Sequence, residues 1–242
     1  MTPPPPDDGA AVGDGSLADA WDRHAEDWVR WARMSEADGF DVGTWPELRC
    51  VLAPPGGLVV DVGCGEGRLL RQLSALGHRA LGVERSSTLV EAAAAVPGST
   101  RVVRADAAAL PLGDGVASMV TACMVLQDVD DLGGTVAEMV RVLAPGGVAC
   151  VAIVHPFSSA QEVGTAHEDR VAILRPYLVE RRTEDRIERD EVTMTFVSMH
   201  RPLSTYVSAL TGAGLVVTDL REFGHRLIPW LLVLRGEKRP SG

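Results

Sequence analysis

The sequence predicts a single α/β domain whose sheet is mainly parallel. Its 242 residues, 46% of them hydrophobic, are enough for one sizeable core. From residue 57 onward, short apolar runs alternate with helical patterns of roughly 10 to 15 residues, which is the order expected of βαβ units. The predicted strands cover residues 58–62, 80–83, 101–104, 116–121 and 148–154, and the predicted helices between them cover 67–76, 88–95 and 132–143.

The segment before the first strand predicts a tail and a helical lid. The opening MTPPPPDDGAAVGDG is proline, glycine and acid with little to bury, which indicates disorder. In the helix that follows, Trp21, His24, Trp28 and Trp31 are spaced i, i+3, i+7 and i+10 along one stripe. The stripe either packs on the core or closes over a ligand. In the second case His24 and Trp28 are candidate substrate contacts.

Composition and cysteine spacing exclude several classes of protein. A formal net charge of -10 argues against a nucleic-acid surface, because neutralising phosphates takes clustered Lys and Arg. No apolar run reaches the roughly 20 residues that span a bilayer, and the N-terminus lacks the order of a signal peptide. Cys50, Cys64, Cys123 and Cys150 show no C-x-x-C spacing. We therefore expect a cytoplasmic protein with no metal site, no membrane contact and no nucleic-acid partner.

A glycine-rich turn follows the first predicted strand. In LVVDVGCGEGRLL, Asp61 ends an apolar run, and Gly63, Gly65 and Gly67 precede a helix. Glycine at such a turn permits a positive φ or a close approach of ligand to backbone. The spacing differs from the dinucleotide G-x-G-x-x-G, and a carboxylate ahead of the turn would repel a pyrophosphate. The pattern predicts a ligand that carries a cation here instead of a phosphate.

Acids at the ends of the next two strands point to an adenosine group. Glu84 follows the second strand at about the separation expected of an acid that accepts from ribose hydroxyls. Asp106 follows the third strand and can accept from an exocyclic amine such as adenine N6. The alternatives are a solvated surface acid for Glu84 and an Asx turn or helix cap for Asp106.

Two further positions follow the fourth and fifth strands. In MVLQDVDD, Gln127 and Asp128 are expected to face the open side of the bound ligand, whereas Asp130 and Asp131 are expected to cap the helix that begins near residue 132. In IVHPF, His155 stands at the rim and is a candidate base that also contacts substrate. Its alternative role is to shape the turn by bonding the backbone.

Several segments resemble the class I S-adenosylmethionine-dependent methyltransferase family. Within that family, the chain is similar to the small-molecule enzymes of the ubiquinone/menaquinone-type superfamily. Many of those enzymes belong to bacterial secondary metabolism. The likeness covers roughly residues 17–236 and is carried by LVVDVGCGEGRLL, GVE, VVRADAAALPL, VLQDVDDLGGTVAEMVRVLAPGGVACVAIVHPF and HRPLSTYVSALTGAGLVV. It implies a Rossmann-like sheet of seven strands in the order 3-2-1-4-5-7-6, with strand 7 antiparallel and helices on both faces. LREFG and WLLVLRG would be strands 6 and 7.

The resemblance also implies a cofactor site for S-adenosylmethionine, with S-adenosylhomocysteine as product. Asp61, Gly63 and Gly65 would line the amino-acid end of the cofactor, Glu84 would hold ribose, and Asp106 with Ala107 would flank adenine. The remaining predicted cofactor contacts are Cys64, Arg85, Met124 and Gln127.

Residues 157–200 interrupt the strand–helix alternation and predict an inserted hairpin or cap over the methyl-acceptor site. Tyr177 and His200 are the candidate substrate contacts in it, and Phe196 and Met199 are further apolar candidates. The charge run ERRTEDRIERDE predicts a solvated strand face and also allows homodimer contacts. The predicted organisation is a disordered tail (1–16), an N-terminal helical lid (17–55), a cofactor-binding core (56–156), an inserted cap (157–200) and the C-terminal part of the core (201–236).

These features predict an enzyme that transfers a methyl group from S-adenosylmethionine to an N or O atom of a small organic molecule. One alternative is C-methylation of an isoprenoid or aromatic carbon, with a carboxylate such as Glu168 removing the proton. A second is a cofactor-binding module without catalysis, which a collapsed acceptor pocket would favour. A nicotinamide oxidoreductase is the third, and the glycine spacing argues against it.

Overall fold

The computed structural model describes residues 15–34, 39–96, 101–161, 173, 175–224 and 227–240. Residues 1–14 of the predicted tail and Glu168 lie outside the described residues. The helices are α1 (Leu17–Arg23), α2 (Ala25–Arg33), a π-helical turn (Phe40–Thr44), α3 (Trp45–Arg49), α4 (Arg68–Ala75), α5 (Ser87–Ala94), α6 (Leu132–Val142), α7 (Pro156–Ser159) and α8 (Leu203–Gly212). The strands are β1 (Leu58–Val62), β2 (Arg79–Glu84), β3 (Arg101–Arg104), β4 (Ala117–Cys123), β5 (Leu143–Val154), β6 (Arg181–Arg189), β7 (Val192–His200), β8 (Leu215–Gly224) and β9 (Pro229–Lys238).

Seven strands form one sheet in the order β3-β2-β1-β4-β5-β9-β8. Strands β1 to β5 pair in parallel, and β9 runs antiparallel to both of its neighbours. Because β6 and β7 form a separate two-stranded sheet, β8 and β9 are the sixth and seventh strands of the main sheet. The predicted order 3-2-1-4-5-7-6 with an antiparallel strand 7 is confirmed.

Two hydrophobic clusters lie on opposite faces of this sheet. One includes residues of α6 and α8, and the other includes residues of α3 and α4. The central strands β1, β4 and β5 are buried along most of their length, as expected for parallel strands covered on both faces. Their carboxyl ends therefore meet at one edge, where the loops after β1, β2, β3 and β4 converge.

The N-terminal helical segment differs from the single helix that the sequence predicts. It divides at His24, whose φ of -104° and ψ of 9° are not helical, into α1 and α2. Trp21 donates from Nε1 to the carbonyl of Val197 at 3.1 Å, and Trp28 and Trp31 meet the ring of Phe196 edge to face. The aromatic stripe therefore packs on β7, not on the main sheet.

The inserted segment contains an antiparallel hairpin, β6–β7, with Arg181 opposite His200. The hairpin is joined to the core at β7, where the amide of Met199 donates to the carbonyl of Gln127 at 2.7 Å. This bond brings the hairpin against the loop that follows β4. Within the described residues, no helix is long and apolar enough to cross a membrane.

Candidate functional site

A cavity of about 2130 Å³ opens at the carboxyl ends of the parallel strands. Its floor is the turn after β1 together with the ends of β2, β3 and β4. The N-terminal helices and the β6–β7 hairpin form the opposite wall. Apolar and aromatic side chains with a few polar groups are the usual lining of a small-molecule site. Here the aromatic lining residues are Trp21, Trp28, Trp31, Phe40, Phe196, Tyr206 and Trp230.

The glycine turn after β1 can be built only from glycine at its first position. Gly63 has a φ of +64°, and a Cβ placed on it would lie 2.6 Å from Cγ2 of Val125. Gly65 and Gly67 also have positive φ values, of +54° and +84°. These left-handed residues turn the chain from β1 into α4 and leave the backbone bare toward the cavity.

Asp61 lies at the floor of the cavity with half of its carboxylate unpaired. The side chain is 1% exposed, and Oδ1 accepts a 2.7 Å hydrogen bond from the Thr121 hydroxyl. Oδ2 is buried and has no hydrogen-bond partner in the described part of the chain. Burial, and secondarily the nearby Glu84 carboxylate, raises the pKa of Asp61 to about 7. A buried carboxylate oxygen without a donor is costly, so a ligand that carries an ammonium group fits this position.

Glu84 is held at the end of β2 by three backbone amides. Oε2 accepts from Gly65 at 3.0 Å, and Oε1 accepts from Arg85 at 2.8 Å and Ser86 at 2.9 Å. Burial raises its pKa, although these bonds act in the opposite direction. The carboxylate thus ties β2 to the glycine turn while it lines the cavity. Its position is set by these three backbone hydrogen bonds.

Asp106, which follows β3, forms the Asx turn that was the alternative to its predicted contact with adenine. Its Oδ1 accepts from the amide of Ala108 at 2.9 Å, which is an Asx turn. The residue also lines the cavity, as does Ala107. The two interpretations are compatible, because the turn holds the side chain at the site where a ligand amine would meet it.

Gln127 and Asp128 lie side by side in the loop after β4. Nε2 of Gln127 is 3.3 Å from Oδ2 of Asp128. Both side chains line the cavity, and burial raises the pKa of Asp128 well above its ordinary value. The loop is anchored by the guanidinium of Arg201, which donates to the carbonyls of Leu126 at 2.9 Å and Val129 at 2.8 Å.

Comparison with known proteins identifies the domain that carries this site. Residues 60–151 match the family model of a methyltransferase domain. An uncharacterized methyltransferase of Mycobacterium sp. (strain JLS) is 32% identical over 65% of this chain and 57% of that protein. A malonyl-acyl-carrier-protein O-methyltransferase of Serratia marcescens is 27% identical over 66% of this chain and 64% of that protein. The crystal structure of an S-adenosylmethionine-dependent methyltransferase from Mesorhizobium loti has a TM-score of 0.67 and 25% identity, over 83% of this chain and 100% of that chain.

Residues 60–151 form a methyltransferase domain, and the fold around them is similar to that of an S-adenosylmethionine-dependent methyltransferase. The family model begins within β1 and ends within β5, so it covers the glycine turn and the loops after β2, β3 and β4. This chain spans less than two thirds of the length of either curated relative.

The methyltransferase domain brings most of the predicted cofactor and substrate residues to one cavity. Those that line it are Asp61, Gly63, Cys64, Gly65, Glu84, Arg85, Asp106, Ala107, Met124, Gln127, Trp28 and Asp128. Met124 adopts a φ of +57°, which is uncommon for a residue other than glycine and marks the sharp exit from β4.

His155 is not among the cavity-lining residues. Its side chain is fully buried, Nε2 lies 2.9 Å from Oε1 of Glu222, and Nδ1 accepts from the amide of Phe157 at 3.1 Å. Because Nδ1 accepts from an amide, the ring proton is on Nε2 and points at Glu222. Burial lowers the pKa of the imidazole despite that carboxylate. The geometry favours the turn-shaping role over the predicted role as a base.

Three other predicted substrate contacts also lie outside the cavity lining. His24 is at the junction of α1 and α2, and the Tyr177 hydroxyl accepts from the amide of Leu203 at 3.1 Å. His200 is buried, with Nε2 2.8 Å from the carbonyl of Tyr177 and Nδ1 2.8 Å from Oγ of Ser159. Ser159, the hydrogen-bond partner of His200, does line the cavity.

The predicted cap of α6 is half correct. Asp131 accepts from the amide of Gly134 at 2.8 Å and caps α6 as expected. Asp130 instead accepts from the amides of Leu17 at 2.8 Å and Ala18 at 3.3 Å, at the start of α1. The prediction for Asp130 was wrong because its partner is 113 residues away in the chain, and no local pattern indicates such a contact.

Glu66 is a charged residue of the cavity that was not among the predicted site residues. Glu66, inside the glycine turn, is 1% exposed and lines the cavity. Arg71 of α4 holds its Oε1 at 2.6 Å, and Arg33 of α2 lies 3.3 Å from its Oε2. The sequence feature that could have indicated this role is an acidic residue inside a turn made otherwise of small residues. Glu66 joins the N-terminal helices to the cofactor side of the domain.

Proposed function

We propose that this protein transfers a methyl group from S-adenosylmethionine to an N or O atom of a small organic molecule and releases S-adenosylhomocysteine. The observation that carries the proposal is Oδ2 of Asp61, a buried oxygen that has no donor among the described residues and lies beside a turn with three glycines. The α-ammonium of the cofactor is the donor that this oxygen lacks. A dinucleotide pyrophosphate at the same turn would meet a carboxylate.

The residues around the cavity fit the rest of the cofactor. Glu84 would accept from the ribose hydroxyls with the lone pairs that its three backbone bonds leave available. Asp106 and Ala107 would lie along the adenine, and Gly63 and Gly65 would face the amino-acid end. When bound, S-adenosylmethionine supplies an electrophilic methyl group on a sulfonium.

The chain's own contribution to transfer is alignment and exclusion of water. The N-terminal helices and the hairpin meet over the cavity through Trp21, Trp28 and Phe196. Holding two reactants in line can lower a barrier by roughly 7 to 11 kcal/mol. The methyl acceptor can therefore attack directly, and the protein needs no nucleophilic side chain of its own. Among the titratable groups of the methyl-acceptor side, Asp128 is placed to receive a proton, whereas His155 is not.

The alternatives are weaker on specific grounds. The cavity is open well beyond the cofactor residues, which disfavours a module whose acceptor pocket has collapsed. The net charge of -10 supports a small molecule over a nucleic acid as methyl acceptor.

Calorimetry with S-adenosylmethionine, S-adenosylhomocysteine and NAD tests the cofactor. We expect saturable binding of the first two and none of NAD. Transfer is then tested by incubating the full chain with methyl-labelled S-adenosylmethionine and a panel of small amines, phenols and alcohols. Tighter binding of NAD than of S-adenosylhomocysteine would contradict the proposal, and cofactor binding without label transfer would favour the non-catalytic module.

A further inference from the structure

Two hydrogen-bond-accepting oxygens on the methyl-acceptor side of the cavity have no donor. Oε1 of Gln127 and Oδ1 of Asp128 are both buried and unpartnered in the described part of the chain. The Gln127 side chain is only 5% exposed, and both residues line the cavity. Buried oxygens of this kind are normally hydrogen-bonded, so a ligand with N–H or O–H groups is expected between them and the rest of the cavity.

The orientation of the two side chains is fixed by their other contacts. The amide nitrogen of Gln127 points at Oδ2 of Asp128, which turns Oε1 to the opposite side of that amide. The positive charge of Arg201 acts on the Asp128 carboxylate. The guanidinium of Arg201 is itself committed to two backbone carbonyls. The pair is therefore a rigid, preformed acceptor of hydrogen bonds.

We propose that Gln127 and Asp128 bind the amino group of the methyl acceptor, so that the substrate is a primary amine and the reaction is N-methylation. This inference rests on the function proposed above. A hydroxyl carries a single proton and can satisfy one of the two oxygens, whereas an amino group carries at least two and can satisfy both. A carbon nucleophile offers neither oxygen a strong donor.

Proton transfer and bond changes balance at this pair. The ammonium form of the substrate loses one proton to solvent as it binds. The neutral amine donates its two N–H groups to Oε1 of Gln127 and Oδ1 of Asp128, which leaves the nitrogen lone pair free to face the methyl group. The lone pair forms the N–CH3 bond as the S–CH3 bond breaks, and the electron pair of that bond stays on sulfur. The products are a methylated ammonium and a thioether.

Gln127, which the sequence predicts as a cofactor contact, binds the methyl acceptor in this proposal. Asp61 already offers the cofactor ammonium a separate oxygen, which no described residue hydrogen-bonds, at the glycine turn. Gln127 follows β4, one strand away from Asp61, and its backbone carbonyl is bonded to the hairpin that covers the methyl-acceptor side. The two oxygen sets therefore serve two different ligands.

The test uses the full chain saturated with S-adenosylhomocysteine and measures the dissociation constants of matched amines and alcohols by calorimetry. The probes are methylamine, benzylamine, 2-phenylethylamine and tryptamine, each paired with the alcohol of the same skeleton. We expect at least one amine to bind about tenfold or more tightly than its alcohol. That preference should fall by about tenfold in Gln127→Met, which keeps the side-chain length, and in Asp128→Asn, which keeps the shape.

The matched control is Asp131→Asn in the same loop. Asn and Asp both cap helices well, so this variant makes the same chemical change and should leave the amine preference intact. Equal binding of every amine and its alcohol, or a preference that survives both Gln127→Met and Asp128→Asn, would overturn the proposal. Weaker S-adenosylhomocysteine binding in Gln127→Met, with amine binding unchanged, would return Gln127 to the cofactor. Failure of the wild type to bind S-adenosylhomocysteine would instead refute the proposed function.

Discussion

Asp130 and Leu17 join the loop after β4 to the start of α1 through a 2.8 Å hydrogen bond across 113 residues of chain. The same carboxylate reaches the amide of Ala18, and Ser16 supplies the cap within the helix itself. One side chain in the loop after β4 thus satisfies the first amides of a helix that forms part of the cavity wall. The position of α1 therefore depends on the loop that also carries Gln127 and Asp128.

Asp130→Ala should loosen α1 without unfolding the domain. Loss of a capping side chain typically costs about 1 kcal/mol, and we expect faster amide exchange across residues 17–33 with roughly fivefold weaker S-adenosylhomocysteine binding. Hydrogen-exchange mass spectrometry and calorimetry measure the two effects. Asp131→Ala is the control, because its cap serves α6. Unchanged exchange in α1 would show that the Asp130 contact does not hold the helix.

Cofactor affinity should depend on pH through Asp61. Its pKa of about 7 in the free protein is raised by burial, whereas a bound ammonium favours the ionised form and lowers that pKa. Binding therefore releases a proton below pH 7, and the dissociation constant of S-adenosylhomocysteine should rise by about tenfold per unit as the pH falls below 7. Calorimetry between pH 5.5 and 8 measures this slope.

Asp61→Asn is the variant that tests the origin of the slope. It should bind more weakly at pH 8 and show little change with pH, because the amide does not titrate. The charge of Glu84 acts on Asp61, and the pKa of Glu84 is itself raised by burial, so Glu84→Gln is measured in parallel. If Asp61→Asn kept the wild-type slope while Glu84→Gln lost it, the titrating group would be Glu84.

Glu84→Ala should weaken both the cofactor complex and the fold. Hydrogen bonds to a charged group are worth about 1.5 to 3 kcal/mol, which corresponds to roughly tenfold to a hundredfold in the dissociation constant. The amides of Gly65, Arg85 and Ser86 also lose their partner, so the melting temperature should fall. Asp106→Ala, which frees one amide in place of three, should lower it less. An unchanged dissociation constant would make Glu84 a structural residue only.

His155→Ala should reduce stability and leave the cofactor site intact. The substitution empties a fully buried position and removes the partner of the Phe157 amide, a loss of about 2 kcal/mol. For a domain of this size that is a fall of roughly 4 to 8 °C in melting temperature. His24→Ala, at a partly exposed helix junction, should change it little. A normal melting temperature with methyl transfer reduced by about 100-fold or more would restore His155 as a base.

Local sequence determined the sheet, the glycine turn and the positions of the acids that follow the strands. Apolar runs of strand length, glycines where the backbone requires a positive φ, and acids at strand ends are short-range signals, and parallel strands bring their carboxyl ends to one edge by topology alone. That is why Asp61, Glu84, Asp106 and Asp128 line one cavity. The alternation also indicated the inserted hairpin, because residues 157–200 break it.

The tertiary structure alone decided which way the histidines face and which distant groups meet. His155 and His200 follow strands just as the acids do, but their rings turn into the interior, where Glu222, the Phe157 amide, Ser159 and the Tyr177 carbonyl offer partners. Asp130 likewise leaves its local helix for α1. A polar side chain near the core takes whichever partner lowers the cost of its burial. That partner comes from elsewhere in the chain, so no spacing within a motif specifies it.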